Sequence, residues 1–428
     1  MNSPELTQAF PSVETNALPG FQADASDVAA IITNRTPTVL FVDQSGQPGG
    51  AELCLLPLAG LCAARSEVLL LAEGPFRALL EALGVRVQVS SNSRVAAISK
   101  QALRFGWLRA VPGILGQVRA IARQARQFDV LYLNTQKAFV LGSLGKPLHR
   151  RPVIWHVHDV MTSEHFGRMQ LRIVRWLAKY AADHLVANSQ ASADALIALT
   201  GLPAQAVPVV HNGVDAAAFA SLDATDLAAL RRRLGLPETA CLAGLFGRLA
   251  PWKGQHIAIE AMTRLPDVHL VLVGAALFGE DAYALQLREQ AKQMGVAHRV
   301  HFAGLRDDMP AWMKAMDLIL HTSTEAEPFG RVVIEGMAAG RPVIAAAAGG
   351  VLEIIRHREN GWLVKPGDVA GYVDAIETLR ASPELAQGLV DQASEDVREH
   401  FTLDRYLTQL TQVIAVAKRQ DHGSQRTA

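Results

Sequence analysis

Two glutamates, Glu327 and Glu335, stand eight positions apart in the stretch Glu327-Pro-Phe-Gly-Arg-Val-Val-Ile-Glu335-Gly-Met-Ala-Ala-Gly340. Gly330 frees the backbone at a loop-to-helix corner. Val332, Val333 and Met337 recur at helical spacing, and Gly340 stops the pattern before the apolar run Pro342 to Ala347. The pattern predicts a helix that starts near Phe329, with its first N–H groups turned toward an anion. At 1.5 Å rise per residue, Glu335 lies roughly 7–8 Å along the axis from Gly330, about the span from a diphosphate to a ribose. Glu327 stays on the loop, on the other side of the phosphates. Either glutamate alone would be an ordinary solvated residue. Their placement around one helix start suits a sugar nucleotide.

A second group lies upstream, in Gly247-Arg248-Leu-Ala-Pro-Trp-Lys253-Gly254, directly after the apolar run Cys241 to Phe246. Alone, an Arg and a Lys on a loop are more often solvated charges. At a strand end they offer two cations where a departing diphosphate develops charge, and one well-placed donor contributes about 3–4 kcal/mol to such a step. No Asp-x-Asp pair is present to hold a bridging metal, so Arg248 and Lys253 are expected to take its place. A complete Gly-x-Gly-x-x-Gly, a Walker A segment and Gly-x-Ser-x-Gly are also missing, which counts against dinucleotide, ATP and common hydrolase chemistry.

Together these residues resemble the Glu-x7-Glu and Gly-Arg…Lys-Gly signatures of the retaining family-4 glycosyltransferases (glycosyl transferases group 1) of the GT-B fold, here with a four-residue spacer kept compact by Pro251. The resemblance implies a UDP- or GDP-sugar donor, no cofactor and no metal. It implies that Glu327 approaches the donor sugar, Glu335 binds the ribose, and Arg248 and Lys253 hold the diphosphate with the helix start at Phe329 and Gly330. It gives Gly50, in the loop Gly49-Gly50-Ala51-Glu52, a role at the diphosphate and acceptor, and leaves space for the base at Gly304. Gly349-Gly350 with Glu353 would complete the phosphate side. A histidine near the reacting carbon is expected at His158, with His156 as the fallback. Alternation puts both histidines on one side of their strand; a zinc pair lacking a third ligand, or plain strand-end packing, are the other readings of them. Asn188-Ser189 and His211-Asn212-Gly213-Val214-Asp215 match further family elements, so the likeness runs from Thr38 to about Ala417.

The elements that must position these groups read as alternating strands and helices. Strands are expected at Thr38–Val42, Val68–Leu71, Val85–Val89, Val130–Leu133, Val153–Val157 and His184–Ala187. A second set follows at Cys241–Phe246, Leu270–Val273, Val300–Phe302, Leu318–His321 and Val343–Ala347. Continuous apolar strands alternating with helices such as Leu53–Ala64 and Phe76–Leu83 imply parallel sheets covered on both faces. The expected architecture is α/β: two doubly wound Rossmann-like domains facing a cleft. Residues 1–36 read as a flexible leader, 37–207 as the acceptor-binding domain and 208–400 as the nucleotide-sugar domain. A helix within 401–420, carrying Leu403, Tyr406, Leu407, Leu410, Val413 and Ile414 at helical spacing, would cross back to the first domain, as the resemblance implies.

At 428 residues, two cores are expected rather than one. Charge balances, with 41 basic and 41 acidic residues, so a nucleic-acid partner is not expected. Three scattered cysteines, no signal-like start and no apolar run long enough to span a bilayer suggest a cytoplasmic protein, peripheral at the inner face of the membrane if it touches one. Between Glu81 and Asp129 the chain carries a formal +8 and no acid, with Phe105, Trp107 and Leu108 interleaved, and Arg168–Lys179 repeats the pattern around Leu171, Ile173 and Trp176. Such segments fit either an anionic membrane carrying a lipid-linked acceptor or ordinary helices with a basic solvent face. Two rival activities share the architecture: a nucleotide-sugar 2-epimerase, which would need a base for the sugar C2 proton, and a non-catalytic nucleotide-sugar-binding protein.

Overall fold

The computed structural model describes residues 37–90, 107–220, 226–277 and 279–424. The leader 1–36 and the basic positions Arg94, Lys100 and Arg104 lie outside them.

The first sheet contains β1 (Val39–Asp43), β2 (Ser66–Leu70), β3 (Arg86–Val89), β4 (Val130–Leu133), β5 (Val153–Val157) and β6 (His184–Ala187), in the order β3-β2-β1-β4-β5-β6. The second contains β7 (Cys241–Phe246), β8 (Val268–Val273), β9 (Val300–Gly304), β10 (Leu318–His321), β11 (Val343–Ala346) and β12 (Trp362–Val364), in the order β12-β11-β10-β7-β8-β9. Every pairing is parallel. Counted from its own first strand, each sheet has the 3-2-1-4-5-6 order of a doubly wound domain, so the strand order reverses between β1 and β4 and again between β7 and β10. Crevices at those two reversals, at the carboxyl ends of the strands, are where such sheets take ligands.

β1, β2, β4 and β5 are buried at every position because helices cover both faces of the sheet; β3, at the edge, alternates between exposed and half-buried. Several strand ends shift by one or two residues from the sequence expectation, and two elements differ further. β12 is a three-residue strand too short to show periodicity, and the first helix begins at Gly50, not Leu53, because Gly49 serves as its N-cap and the Glu52 side chain reaches back to the Gly49 N–H.

The carboxy-terminal helix Leu403–Ser424 packs on the first lobe. Tyr406, Leu407, Leu410, Val413, Ile414 and Ala417 share a core with Phe41, Leu55 and Leu58, and Tyr406 donates to the Cys54 carbonyl at 3.0 Å. Each large apolar side chain buried there contributes roughly 1.5–3 kcal/mol. The chain's two passages between the lobes are tied together where Val214 N donates to Phe401 O (2.8 Å) and Leu403 N to Val214 O (3.1 Å). Gly213 is required at that crossing, since a Cβ there would lie 2.5 Å from Thr402 O.

Candidate active site

β7 is followed by Gly247, whose φ of 130° turns the chain out of the sheet, and the short helix Pro251–Lys253 ends at Gly254 with φ 70°. A Cβ at Gly254 would come 1.9 Å from Thr322 O, so only glycine lets this loop press against the end of β10. That approach brings Lys253 to Glu327. Its Nζ lies 2.7 Å from both carboxylate oxygens, and both side chains are mostly buried. Ser323 Oγ donates to Glu327 Oε2 at 3.0 Å, and His321 Nε2 lies 3.3 Å from the same oxygen. Burial works against the charge on Glu327, but Lys253 beside it and the hydrogen bonds from His321 and Lys253 hold its carboxyl well below the usual carboxylate range. The loop is fixed from behind by Gly350 N donating to Glu327 O at 2.8 Å, at a corner where Gly349 has φ 63°.

The following helix spans Arg331–Ala338, two residues later than expected, because Phe329 is buried against His211 and Phe401 and Gly330 caps the helix with φ 101°. Glu335 is not a lone carboxylate. Arg331, one turn earlier, donates from Nε to Glu335 Oε1 at 2.8 Å. Arg248 lies 3.4 Å from Glu280 through Nε. Gly304 closes β9 with φ 74° and open space around the position of a Cβ; Gly50 is exposed with equally open surroundings.

Glu353 does not complete a phosphate side. It crosses to the first lobe, where its two oxygens accept from Gln190 N (2.7 Å) and Ala191 N (2.9 Å) at the start of the helix Gln190–Thr200, and His211 Nε2 lies 2.9 Å away. A carboxylate at a helix start is stabilised by the dipole there, so this contact joins the lobes beside Phe329. His165 and Glu325 form a second link, 3.1 Å across the cleft.

In the first lobe, His158 lies just beyond β5, its ring centroid 4.0 Å from that of His156, so alternation does put the two on one side. Each ring already has a partner: His156 Nδ1 meets Tyr132 Oη at 2.7 Å, and His158 Nε2 meets Asn134 Oδ1 at 3.2 Å. Among the described residues no group of three or more His, Cys, Asp or Glu side chains is placed to hold a metal ion. Burial pushes the His158 imidazole down to about 3 and, with His158 beside it, His156 well below its ordinary value. Both are therefore neutral near pH 7, while their unfolded counterparts take up a proton near 6.5. Native stability from this pair is full above about pH 6.5 and is lost as pH falls below it, by about 1.4 kcal/mol per unit for each histidine. Urea midpoints should stay level above pH 7 and drop between pH 6.5 and 5, with a shallower drop in His158→Gln; equal slopes in the two proteins would contradict this.

The sequence reading passed over Asn134, Asp43, His321, Ser323 and Arg331. The first four share one signal, a polar residue at or just beyond the carboxyl end of an apolar strand; Arg331 had its spacing to Glu335.

Two lobes of this topology with polar strand ends meeting across a cleft define the GT-B fold. Residues 48–218 match the model of Glycosyltransferase Family 4, and residues 227–396 that of Glycosyl transferases group 1. HepE of Anabaena, solved with UDP and glucose, is 38% identical, with 89% of this chain and 99% of HepE covered at a TM-score of 0.80. A D-inositol 3-phosphate glycosyltransferase of Mycolicibacterium gilvum is 33% identical over 58% of this chain and 54% of its own length. The lipopolysaccharide core biosynthesis glycosyltransferase LpsE of Rhizobium meliloti is 34% identical over 43% of this chain and 53% of its own. The chain thus spans about half the length of these last two relatives. It belongs to the group 1, family 4 glycosyltransferases.

Proposed function

We propose that this glycosyltransferase moves a hexosyl group from a UDP- or GDP-sugar to a hydroxyl acceptor with retention of anomeric configuration. The Lys253–Glu327 pair at the β7/β10 reversal, its glutamate three residues before the cap of a helix start, carries the proposal: a cation for a diphosphate and a carboxylate for a sugar lie side by side. HepE, solved with UDP and with UDP-glucose, supports a UDP-linked donor. In the proposed reaction the bond from C1 to the β-phosphate oxygen breaks, a bond from C1 to the acceptor oxygen forms on the same face, and the hydroxyl proton passes to the departing diphosphate. Lys253, Arg248 and the amides at Phe329 and Gly330 hold that diphosphate. Glu327 supports the positive anomeric centre, Glu335 the ribose and His158 the sugar from the opposite lobe; Gly50 and Gly304 border the diphosphate and the base. Water can stand in for the acceptor. With UDP-glucose, proton NMR should show α-glucose released first, and β-glucose appearing first would contradict retention. A 2-epimerised donor forming without acceptor would favour the epimerase, and tight donor binding without any turnover the binding protein.

The acceptor proposed is a glycan or lipid-linked sugar presented at an anionic membrane, and the helix Arg168–Tyr180 supports it. No helix among the described residues is long and apolar enough to cross a membrane. Of the two basic segments, the helix Trp107–Ala125 turns Val118, Ile121 and Ala125 into the core, as an ordinary helix does. Arg168–Tyr180 instead leaves Met169, Ile173, Trp176 and Tyr180 exposed at 65%, 41%, 58% and 69%, on one stripe beside Arg168, Arg172, Arg175 and Lys179. Its start touches Gln136 through Gln170 (2.8 Å), near the cleft end of the sheet. Its far end borders a groove of about 520 Å³ with Lys146, Arg150 and Arg151. Vesicles rich in phosphatidylglycerol should float with the protein at low salt and not with a Trp176→Ser/Tyr180→Ser variant. Equal flotation of both, or none with the wild type, would remove this part of the proposal.

A further inference from the structure

Neighbouring strands of the first sheet bring together three polar residues that the sequence keeps far apart. Asp43 ends β1, Asn134 follows β4 and His158 follows β5, and these strands are adjacent in the sheet. Asn134 is held in one orientation. Its Nδ2 donates to Asp43 Oδ2 at 2.7 Å and to the Ala51 carbonyl at 3.0 Å. A carbonyl oxygen only accepts, so the Asn134 atom facing it must be the NH2 group, and the amide oxygen is the atom 3.2 Å from His158 Nε2. That oxygen accepts and cannot donate, so Nε2 carries the ring proton and Nδ1 carries none.

The support behind Asn134 is built with the same care. Asp43 is fully buried, takes the Ser45 N–H on its other oxygen at 2.9 Å and shares a hydrogen bond with the Glu52 carboxyl. Glu52 in turn accepts from Gly49 N at 3.0 Å. Burial raises both acids, and the charge of Asp43 raises Glu52 further, which favours one proton shared between them. The Gly49-Gly50-Ala51-Glu52 segment is thereby tied through Asp43 and Asn134 to His158.

We propose that Asn134 is a positioning residue that fixes His158 as its Nε2–H tautomer, leaving Nδ1 to accept a hydrogen bond from a hydroxyl of the transferred sugar. The sugar contact rests on the role proposed above for His158; the tautomer does not. His158 stays neutral through the working range, so one ring form serves every turnover and the choice of nitrogen decides whether the ring accepts from the sugar or donates to it.

The test uses the full-length chain with 15N-labelled histidine, the His158 signals being assigned by their loss in His158→Gln. At pH 7.5 the wild type should show a protonated Nε2 and a bare Nδ1; the reverse pattern overturns the proposal whether or not Asn134→Leu folds. In Asn134→Leu the two tautomers should mix, and kcat for UDP-glucose hydrolysis should fall at least about tenfold while KM stays within about twofold, the pattern of an interaction made in the transition state. Asn134→Leu/His158→Gln should be no slower than His158→Gln alone, because both changes remove one device. Additive losses would mean that Asn134 acts elsewhere, and would overturn the assignment. Full activity in His158→Gln would end the sugar contact while leaving the NMR result to judge the tautomer.

Discussion

Lys253→Met is expected to lower kcat/KM for the nucleotide-sugar donor by about 10²–10³-fold, the loss that follows removal of one preorganised donor from a developing anion. The substitution keeps most of the side chain's length and apolar contact with Trp252, whose ring centroid lies 4.2 Å from Nζ, so the change is mainly one of charge. Stability should fall too. Breaking a buried ion pair costs about 3–5 kcal/mol when one partner is left alone, but Glu327 keeps Ser323 and His321, which brings the expected loss to the lower end of that range or below. Without Lys253 the Glu327 carboxyl moves back up toward the ordinary range, so the stability that depends on its ionisation is lost at a higher pH on acidification. Steady-state kinetics beside a urea titration separates the two effects. Unchanged kcat/KM in a folded Lys253→Met protein would show that the diphosphate is held elsewhere.

Glu327→Gln should have the opposite effect on binding and a similar one on turnover. A neutral amide still fills the space beside Ser323 and Lys253 but no longer supports a positive anomeric centre, so kcat should drop by about 10³-fold. UDP itself should bind as tightly as to the wild type or more tightly, because Lys253 is no longer shared with a carboxylate 2.7 Å away. Lys253→Met should bind UDP more weakly. Calorimetry on the two variants therefore reads opposite signs from two halves of one ion pair. Weaker UDP binding in both would mean that the pair only holds the loop in shape.

Much of this was legible in the sequence because doubly wound sheets write themselves plainly. Buried parallel strands appear as unbroken apolar runs, and the bounds of β4, β5, β6, β7 and β10 coincide with those runs. Glu327, Gly330 and Lys253 were visible because turn glycines and charges sit at fixed offsets from such strands. Contacts set by sheet order were not. Asp43 and Asn134 are 91 positions apart and meet only because β1 lies beside β4. Glu353 shows why spacing misleads: two glycines before an acid suggest a phosphate loop, yet the carboxylate turns the other way, onto a helix start of the opposite lobe. The Arg331–Glu335 pair could have been read from its four-residue spacing alone.

The central claim is that the carboxy-terminal lobe grips a pyrophosphate with Lys253 and the amides at the Gly330 corner. A crystal structure with an intact nucleotide sugar tests it most directly. It should show β-phosphate oxygens within hydrogen-bond distance of Lys253 Nζ and of the backbone at Phe329–Arg331, with Glu327 turned to the sugar. A donor bound away from that corner, with Lys253 and Glu327 still closed on each other, would contradict it.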